Sequence, residues 1–441
     1  MTAVSVHSQE SKVRGVGHTN RSLSEEEITE ILESFFAEHT LDNQKVLVIV
    51  PDGTRTAPIG QMFRFIHKEL SGKVAELDFL IALGTHRPMS EEAINNLFGV
   101  ASGDWRANFQ GVRVFNHEWW KPETFIQLGT VSAEEVREIS GGTLDEELSV
   151  RINRLVVEYD AVIVCGPVFP HEVVGFSGGN KYFYPGVGGP EVIDLSHWLG
   201  ALITNREVIG KEGITPVRRL IDRAASMIPT KKLCLAMVVA PGADDDEADK
   251  SPRLAGLYTG TPEEAWTSAA ALSSQVHVRY VERPFRRVLS VMPEHYEDMW
   301  TAAKGMYKVE PAVAEGGEVV IYAPHITEFS HAHGEILGEI GYHVRDYFTQ
   351  QWEGFKHYPG TVLAHSTHLK GAGSYDALSG DERSRVRVTL ATGVSEERCA
   401  EHNVGYLDPG TVNIAEWRNR ENEGILLVPR AGEILYRLRQ D

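Results

Sequence analysis

The chain has 441 residues, 42% apolar and 24% charged, the composition of a folded globular protein. Asp and Glu (62) outnumber Lys and Arg (43), and the resulting formal charge of -19 repels phosphate backbones, so no nucleic-acid partner is expected. The opening MTAVSVHSQESKVRGVGHTN lacks the apolar core of a signal peptide. The longest apolar runs, such as LCLAMVVA (233–240), are too short to cross a bilayer, which predicts a cytoplasmic protein with no membrane contact. Cys165, Cys234 and Cys399 are scattered without CxxC spacing and indicate neither a disulfide framework nor a zinc ribbon.

Along the chain, strand and helix signals alternate. SLSEEEITEILESFF opens with a capping box, Ser24 and Glu27, followed by apolar residues at helical spacing. KVLVIV (45–50) reads as a buried strand, followed by the loop PDGTRTAP and the helical IGQMFRFIHKEL. LDFLIAL (77–83) repeats the theme and passes through GTHRPMS into a helix that Ser90 can cap. VRVF leads into NHEWW, AVIVCG (161–166) leads into HEVVGFSGGNKYFYPGVGG, and PEVIDLSHWLGAL reads as an amphipathic helix. This cadence predicts a parallel sheet with helices on its faces. TPEEAWTSAAALSS begins with a second capping box, Thr261 and Glu264, with Pro262 at the first helical position. The pattern then restarts in RRVLSV, the helical EDMWTAAKGMYKV and the strand GEVVIYAP. The fold expected is α/β, two α/β domains with mainly parallel sheets and the active site in the cleft between them. Residues 1–275 form the expected N-terminal cofactor-binding domain, with 421–441 as a candidate segment to complete it. Residues 276–420 form the expected C-terminal substrate-contacting domain.

Four strands of the first half end in polar loops: Asp52 to Arg55, Thr85 to Arg87, Asn116 to Glu118, and His171 onward. Ligands of open α/β sheets bind beyond the carboxyl ends of the strands, so four such loops describe a site. In PDGTRTAP, Arg55 can fork onto a phosphate or carboxylate and Asp52 can accept from a ribose hydroxyl. A capped turn with a solvated arginine accounts for the same residues. No Walker lysine pattern and no GxGxxG are present. Histidine as a residue type suits acid–base work near neutral pH, which makes His86 in GTHRP and His171 candidates, although a loop histidine is often structural. SGGNK sets Lys181 beside glycines. Desolvated in such a recess, a lysine has a lowered pKa and a nucleophilic amine, suited to a covalent cofactor link; a solvated surface lysine is the competing reading. HAHG, with His331 and His333, forms a second candidate metal site with His325, His365 and His368, but lacks matching carboxylate spacing.

Together and in order, PDGTRTAP, ALGTHRP, NHEWW, PHEVVGFSGGNKYFYPG and SHW resemble the lactate racemase family that uses the nickel-pincer nucleotide. The resemblance covers the N-terminal two-thirds well and the remainder more thinly. It implies a racemase or epimerase that inverts C2 of a 2-hydroxy acid by reversible hydride transfer. The acceptor implied is a pyridinium-3-thioamide-5-thiocarboxylate mononucleotide carrying nickel, joined covalently to Lys181. By the same resemblance His197 of SHW ligates the nickel, Asp52, Thr54 and Arg55 hold the ribose and phosphate, and the glycines around Lys181 make room for the flat ring. His86 and His171 correspond to the pair of bases that serve the two enantiomers. EDMWTAAKGM and QQW resemble substrate-contacting segments, with Lys304 for the substrate carboxylate and Trp352 as an active-site tryptophan. Trp300 and Thr301 stand where lactate-specific members carry tyrosine and glutamine, which implies a substrate longer or bulkier than lactate. The partners implied are a small-molecule 2-hydroxy acid and cofactor-synthesis enzymes acting in trans. Two other readings use the same residues: a Schiff-base lysine enzyme acting on a 2-oxo acid, and a non-catalytic carrier of the nickel nucleotide.

Overall fold

Runs such as KVLVIV and AVIVCG are apolar at successive positions, as central strands of a sheet covered on both faces must be. In the computed structural model, which describes residues 13–241 and 252–439, they lie at the middle of a seven-stranded sheet. Its strands are β1 (Arg14–Gly17), β2 (Lys45–Pro51), β3 (Glu76–Ala82), β4 (Arg113–Asn116), β5 (Ala161–Pro167), β6 (Lys231–Val239) and β7 (Leu254–Gly260), in the order β1-β7-β6-β5-β2-β3-β4. Strands β2 to β6 run parallel, while β7 is antiparallel to β6 and β1 to β7. Side chains of β2 alternate between two apolar cores, Leu47 and Ile49 in one, Val46, Val48 and Val50 in the other. The opening segment read for its lack of a signal-peptide core lies largely outside the described residues, which begin at Val13.

Helix α1 (Glu25–Glu38) starts at Ser24 with the expected capping box complete, α2 (Ile59–Leu70) follows β2, and Ser90 caps α3 (Glu91–Phe98). Next come α4 (Pro190–Ile203), α5 (Pro216–Ala225) and α6 (Pro262–Val276), the last capped by Thr261. The expectation of an amphipathic α4 is corrected. Val192, Leu195, Trp198, Leu199 and Ala201 are all buried, because second-half elements cover the face that would otherwise meet water.

A second sheet holds β8 (Phe285–Val291), β9 (Val313–Ala323), β10 (Arg387–Thr392), β11 (Gly405–Tyr406) and β12 (Ile425–Val428), all parallel, in the order β11-β10-β9-β8-β12. Helix α7 (Gly360–Lys370) of this half packs along α4. The segment expected as one helix after β8 forms two short turns, Met299–Ala302 and Lys304–Tyr307. The described part of the closing segment adds no strand to the first sheet. It supplies β12 to the second, then Leu435–Leu438, which pairs with Val278–Val281. Among the described residues no helix is long and apolar enough to cross a membrane.

Each sheet has a point where the chain reverses direction across it. From β2 the chain proceeds to β3 and β4 on one side and then returns as β5 and β6 on the other. The loops after β2 and β5 therefore diverge and leave a crevice at their carboxyl ends. In the second sheet β9, β10 and β11 lie to one side of β8 and β12 to the other, which sets up the same arrangement.

Candidate active site

Residues from both crevices line one cavity of about 140 Å³. The loops after β2, β3 and β5 bring Asp52 and Arg55, His86, and His171 with Lys181; α4 brings His197. From the second half come Trp300, Thr301 and Lys304, after β8, and three residues of α7, Thr361, His365 and His368. A smaller adjoining cavity shares Arg55, His171 and Lys304 and adds Thr54 and Lys308. Trp352, expected at the substrate, lines neither. Its ring lies flat against Trp198, with centroids 5.4 Å apart and an interplanar angle of 7°.

Lys181 is presented by a loop that needs glycine for two reasons. Gly178 and Gly179 take φ of 85° and 57°, and a Cβ on them would meet Val168 Cγ2 at 2.6 Å and Trp266 Cβ at 2.8 Å. This corrects the expectation that the glycines clear space for a flat ring. They let the loop lie directly on the core, which leaves Lys181 on the cavity side. Arg218 of α5 anchors the loop from beneath, donating to the carbonyls of Gly178 (3.0 Å) and Phe176 (2.5 Å) with its guanidinium over Trp266. Asn180 donates to Asp222 and Glu263 at 3.0 and 2.7 Å. Burial, with Arg55 nearby, lowers the Lys181 pKa to about 7.

His197 donates its Nδ1–H to the carbonyl of Ile193 at 2.7 Å, which leaves Nε2 as the lone-pair nitrogen. Burial and the neighbouring Lys181 amine press its pKa to about 4, so the ring is neutral at pH 7. His86 donates its Nδ1–H to Asp52 Oδ2 at 2.5 Å. Asp52 Oδ1 accepts the amide N–H and hydroxyl of Thr54 at 3.1 and 2.6 Å. Burial pushes the Asp52 carboxyl up, but His86, Arg55 and Thr54 outweigh it and hold it below the usual carboxylate range. Asp52 thus bonds both Thr54 and His86 while lining the main cavity, and Thr54 lines the adjoining one. The Val173 N–H lies 3.2 Å from His171 Nδ1, and Glu172 Oε2 lies 3.3 Å from the same nitrogen. Burial and Lys181 keep this imidazole well below its usual pKa.

Lys304 is 8% exposed, with its amine 4.4 Å over the Tyr296 ring, and burial and Arg55 lower its pKa well below the usual range. Among the described residues neither the Arg55 nor the Lys304 side chain has a hydrogen-bonded acceptor. Lys308 does, in the carbonyls of Pro170 and Glu433. Thr301 lines the cavity, but its hydroxyl is engaged with Asp298, 3.0 Å from Oδ1 and 3.1 Å from the backbone carbonyl. Trp300 is clamped between His333 and His365, at centroid distances of 4.5 and 4.2 Å.

Sequence reasoning missed Glu172, Tyr307 and Lys308. Burial raises the Glu172 pKa, but His368, its own backbone and the lysines outweigh it, so a carboxylate stands among the cations. Its only sequence signal is adjacency to His171, and that of Tyr307 and Lys308 is helical spacing from Lys304. The candidate metal site at HAHG does not assemble. His331 is exposed, His333 lies 3.3 Å from Thr85 Oγ1, and His325 bonds the Tyr296 carbonyl. His365 and His368, three apart on α7, share the face towards the main cavity instead. Among the described residues no group of three or more His, Cys, Asp or Glu could hold a metal ion.

The sequence profile described as the lactate racemase N-terminal domain matches residues 4–210. The lactate racemase of Thermoanaerobacterium thermosaccharolyticum is 26% identical over 284 residues, 64% of this chain and 60% of that one. The lactate racemase of Lactiplantibacillus plantarum is 26% identical over 154 residues, 34% of this chain and 32% of its own length. The matched part thus spans less than two-thirds of either relative. A crystal structure of a Thermotoga maritima protein superposes with a TM-score of 0.86 at 33% identity, over 96% of this chain and 100% of that one. The lactate racemase apoprotein of T. thermosaccharolyticum shares the fold, with a TM-score of 0.67 at 17% identity over 93% of this chain and 92% of that one. Over residues 4–210 the chain thus matches the lactate racemase N-terminal domain, and over nearly its whole length it shares the fold of a lactate racemase apoprotein.

Proposed function

We propose that the chain is a racemase or epimerase of 2-hydroxy acids that works with a nickel-pincer nucleotide carried on Lys181. The observation that carries this reading is the meeting of Lys181, His197, His86 and His171 on one cavity. The donor set fits the group. An amine with a pKa of about 7 is half deprotonated at neutrality and can be acylated. His197 offers one neutral nitrogen, and the Arg55 side chain, with Asp52 and Glu172 near it, has no hydrogen-bonded acceptor among the described residues. When bound, the group supplies a reversible hydride acceptor, which spares the substrate from losing a C2 proton beside its own carboxylate.

The chain's own residues handle orientation and protons. Lys304 holds the substrate carboxylate and so fixes C2 relative to the two imidazoles. His86, its Nδ1 proton held by Asp52, takes the hydroxyl proton of one enantiomer at Nε2, and His171 serves the other. Trp300, braced by His333 and His365, forms the wall that meets the substrate side chain. With Thr301 tied to Asp298, this wall supports a substrate bulkier than lactate. Enzymes that build the nucleotide act in trans, in the cytoplasm.

The test is chiral chromatography of a panel of 2-hydroxy acids incubated with protein produced alongside cofactor-synthesis enzymes. Inversion of at least one acid from both enantiomers is expected; nickel-bearing protein that inverts none would refute the reading. The lowered pKa of Lys181 also favours a second reading, a Schiff-base enzyme acting on a 2-oxo acid. Borohydride trapping of such an acid on Lys181 of metal-free protein separates the two.

A further inference from the structure

The NHEWW segment, residues 116–120, runs from the last residue of β4 into a turn and places no side chain in the cavity, yet it is bonded to the loop that carries His86. Trp119 donates its indole N–H to the His86 carbonyl at 2.9 Å. Asn116 grips Met89 twice, accepting its amide N–H at 3.0 Å and donating to its carbonyl at 2.9 Å. The turn is itself tied down. The His117 amide bonds the Ile81 carbonyl at 3.2 Å, and the buried His117 ring pairs with Asn153 at 3.1 Å. At the start of the His86 loop, the Gly84 amide donates to the Gly186 carbonyl at 2.9 Å, which joins it to the Lys181 loop.

These bonds matter because packing covers His86 only in part. Its side chain is 26% exposed, and Arg87 and Pro88 beside it are exposed. A half-open imidazole keeps one orientation only if its backbone and one ring nitrogen are both fixed. Asp52 holds the nitrogen, and the turn after β4 holds the backbone.

We propose that Asn116 and Trp119 are positioning residues for His86, fixing its loop so that Nδ1 meets Asp52 and Nε2 remains the free lone pair. The proposal rests on reading His86 as an acid–base group, but its structural half is tested without catalysis. Neither residue lines the cavity; Trp119 acts through the His86 carbonyl and Asn116 through the Met89 backbone of the same loop.

The experiment uses the full chain with nitrogen-15 histidine, and ring nitrogen NMR with His86 assigned by its loss in His86→Gln. In the wild type His86 should show one tautomer, with a protonated Nδ1 and an unprotonated Nε2. Trp119→Phe, which keeps an aromatic ring but loses the N–H, and Asn116→Ala should both move His86 towards an average of two tautomers and leave the other histidines in place. In cofactor-loaded protein the same variants should lower kcat by about 10- to 100-fold with KM within about twofold, since misplaced catalytic groups cost rate and not binding. A wild-type His86 protonated at Nε2, unchanged His86 signals in both variants, or a racemising variant with wild-type kcat would overturn the proposal. Should Asn116→Ala not fold, Trp119→Phe and the wild-type spectrum decide. The expected spectra from a loaded wild type that inverts no 2-hydroxy acid would support the positioning frame and count against the racemase reading alone.

Discussion

His197 bonds the carbonyl of Ile193 one helical turn back, at 2.7 Å, and so spends its only ring proton inside its own helix. A neutral imidazole fixed this way keeps Nε2 free and oriented to donate to a metal. In the loaded protein, His197→Ala should lose most of its nickel while the organic part stays on Lys181. Metal analysis paired with peptide mass reads both, and full nickel retention would remove His197 from the coordination shell.

Lys181 should betray its lowered pKa before any cofactor is attached. Only the neutral amine reacts with acylating reagents, and its folded pKa of about 7 lies below the usual lysine value. Its labelling by acetic anhydride in unloaded protein should therefore rise through pH 7 and level off above it. Surface lysines should begin to rise only as pH approaches about 10. Peptide mass spectrometry across a pH series checks this, and Lys181 rising in step with surface lysines would contradict it.

The two imidazoles should be separable from cofactor loading. His86→Gln and His171→Gln should each lower kcat by about 10²- to 10⁴-fold, the range for loss of a general base. Each should keep the modification on Lys181, since neither residue is needed to form that bond. Racemisation rates measured from both enantiomers, alongside intact mass, provide the check.

Gly166, next to last in β5, lies beneath Tyr182, and a Cβ there would lie 1.8 Å from the Tyr182 phenol oxygen. Gly166→Ala must push the ring aside, and with it the loop that presents Lys181. A loss of about 1–3 kcal/mol in stability is expected, as for overpacked cores, measured by urea unfolding. Wild-type stability with normal loading would show that the loop tolerates the shift.

How much of this can be read in the sequence depends on how local each signal is. The cap at Ser24, the cap at Thr261 and the buried runs of β2, β3 and β5 depend on neighbours a few residues away, and they stand where the sequence predicts. The gathering of His86, His171, Lys181 and His197 is legible because parallel strands deliver their following loops to one edge. Facing is not legible. Asp52 and His86 are 34 residues apart, and only the pairing of β2 with β3 brings the carboxylate to the imidazole. The glycines beside Lys181 look like room for a ligand until Trp266, on a helix far along the chain, is found against them. Trp352 looks like a pocket residue until Trp198 covers its face. The NHEWW turn has no readable purpose until Trp119 is seen on the His86 carbonyl.

The most direct measurement is the mass of the peptide containing Lys181, taken from protein made with and without cofactor-synthesis enzymes and nickel. The account predicts an added nickel-bearing mononucleotide on Lys181 in the first case and an unmodified lysine in the second. Racemising protein with an unmodified Lys181, or with the group on another residue, would contradict it.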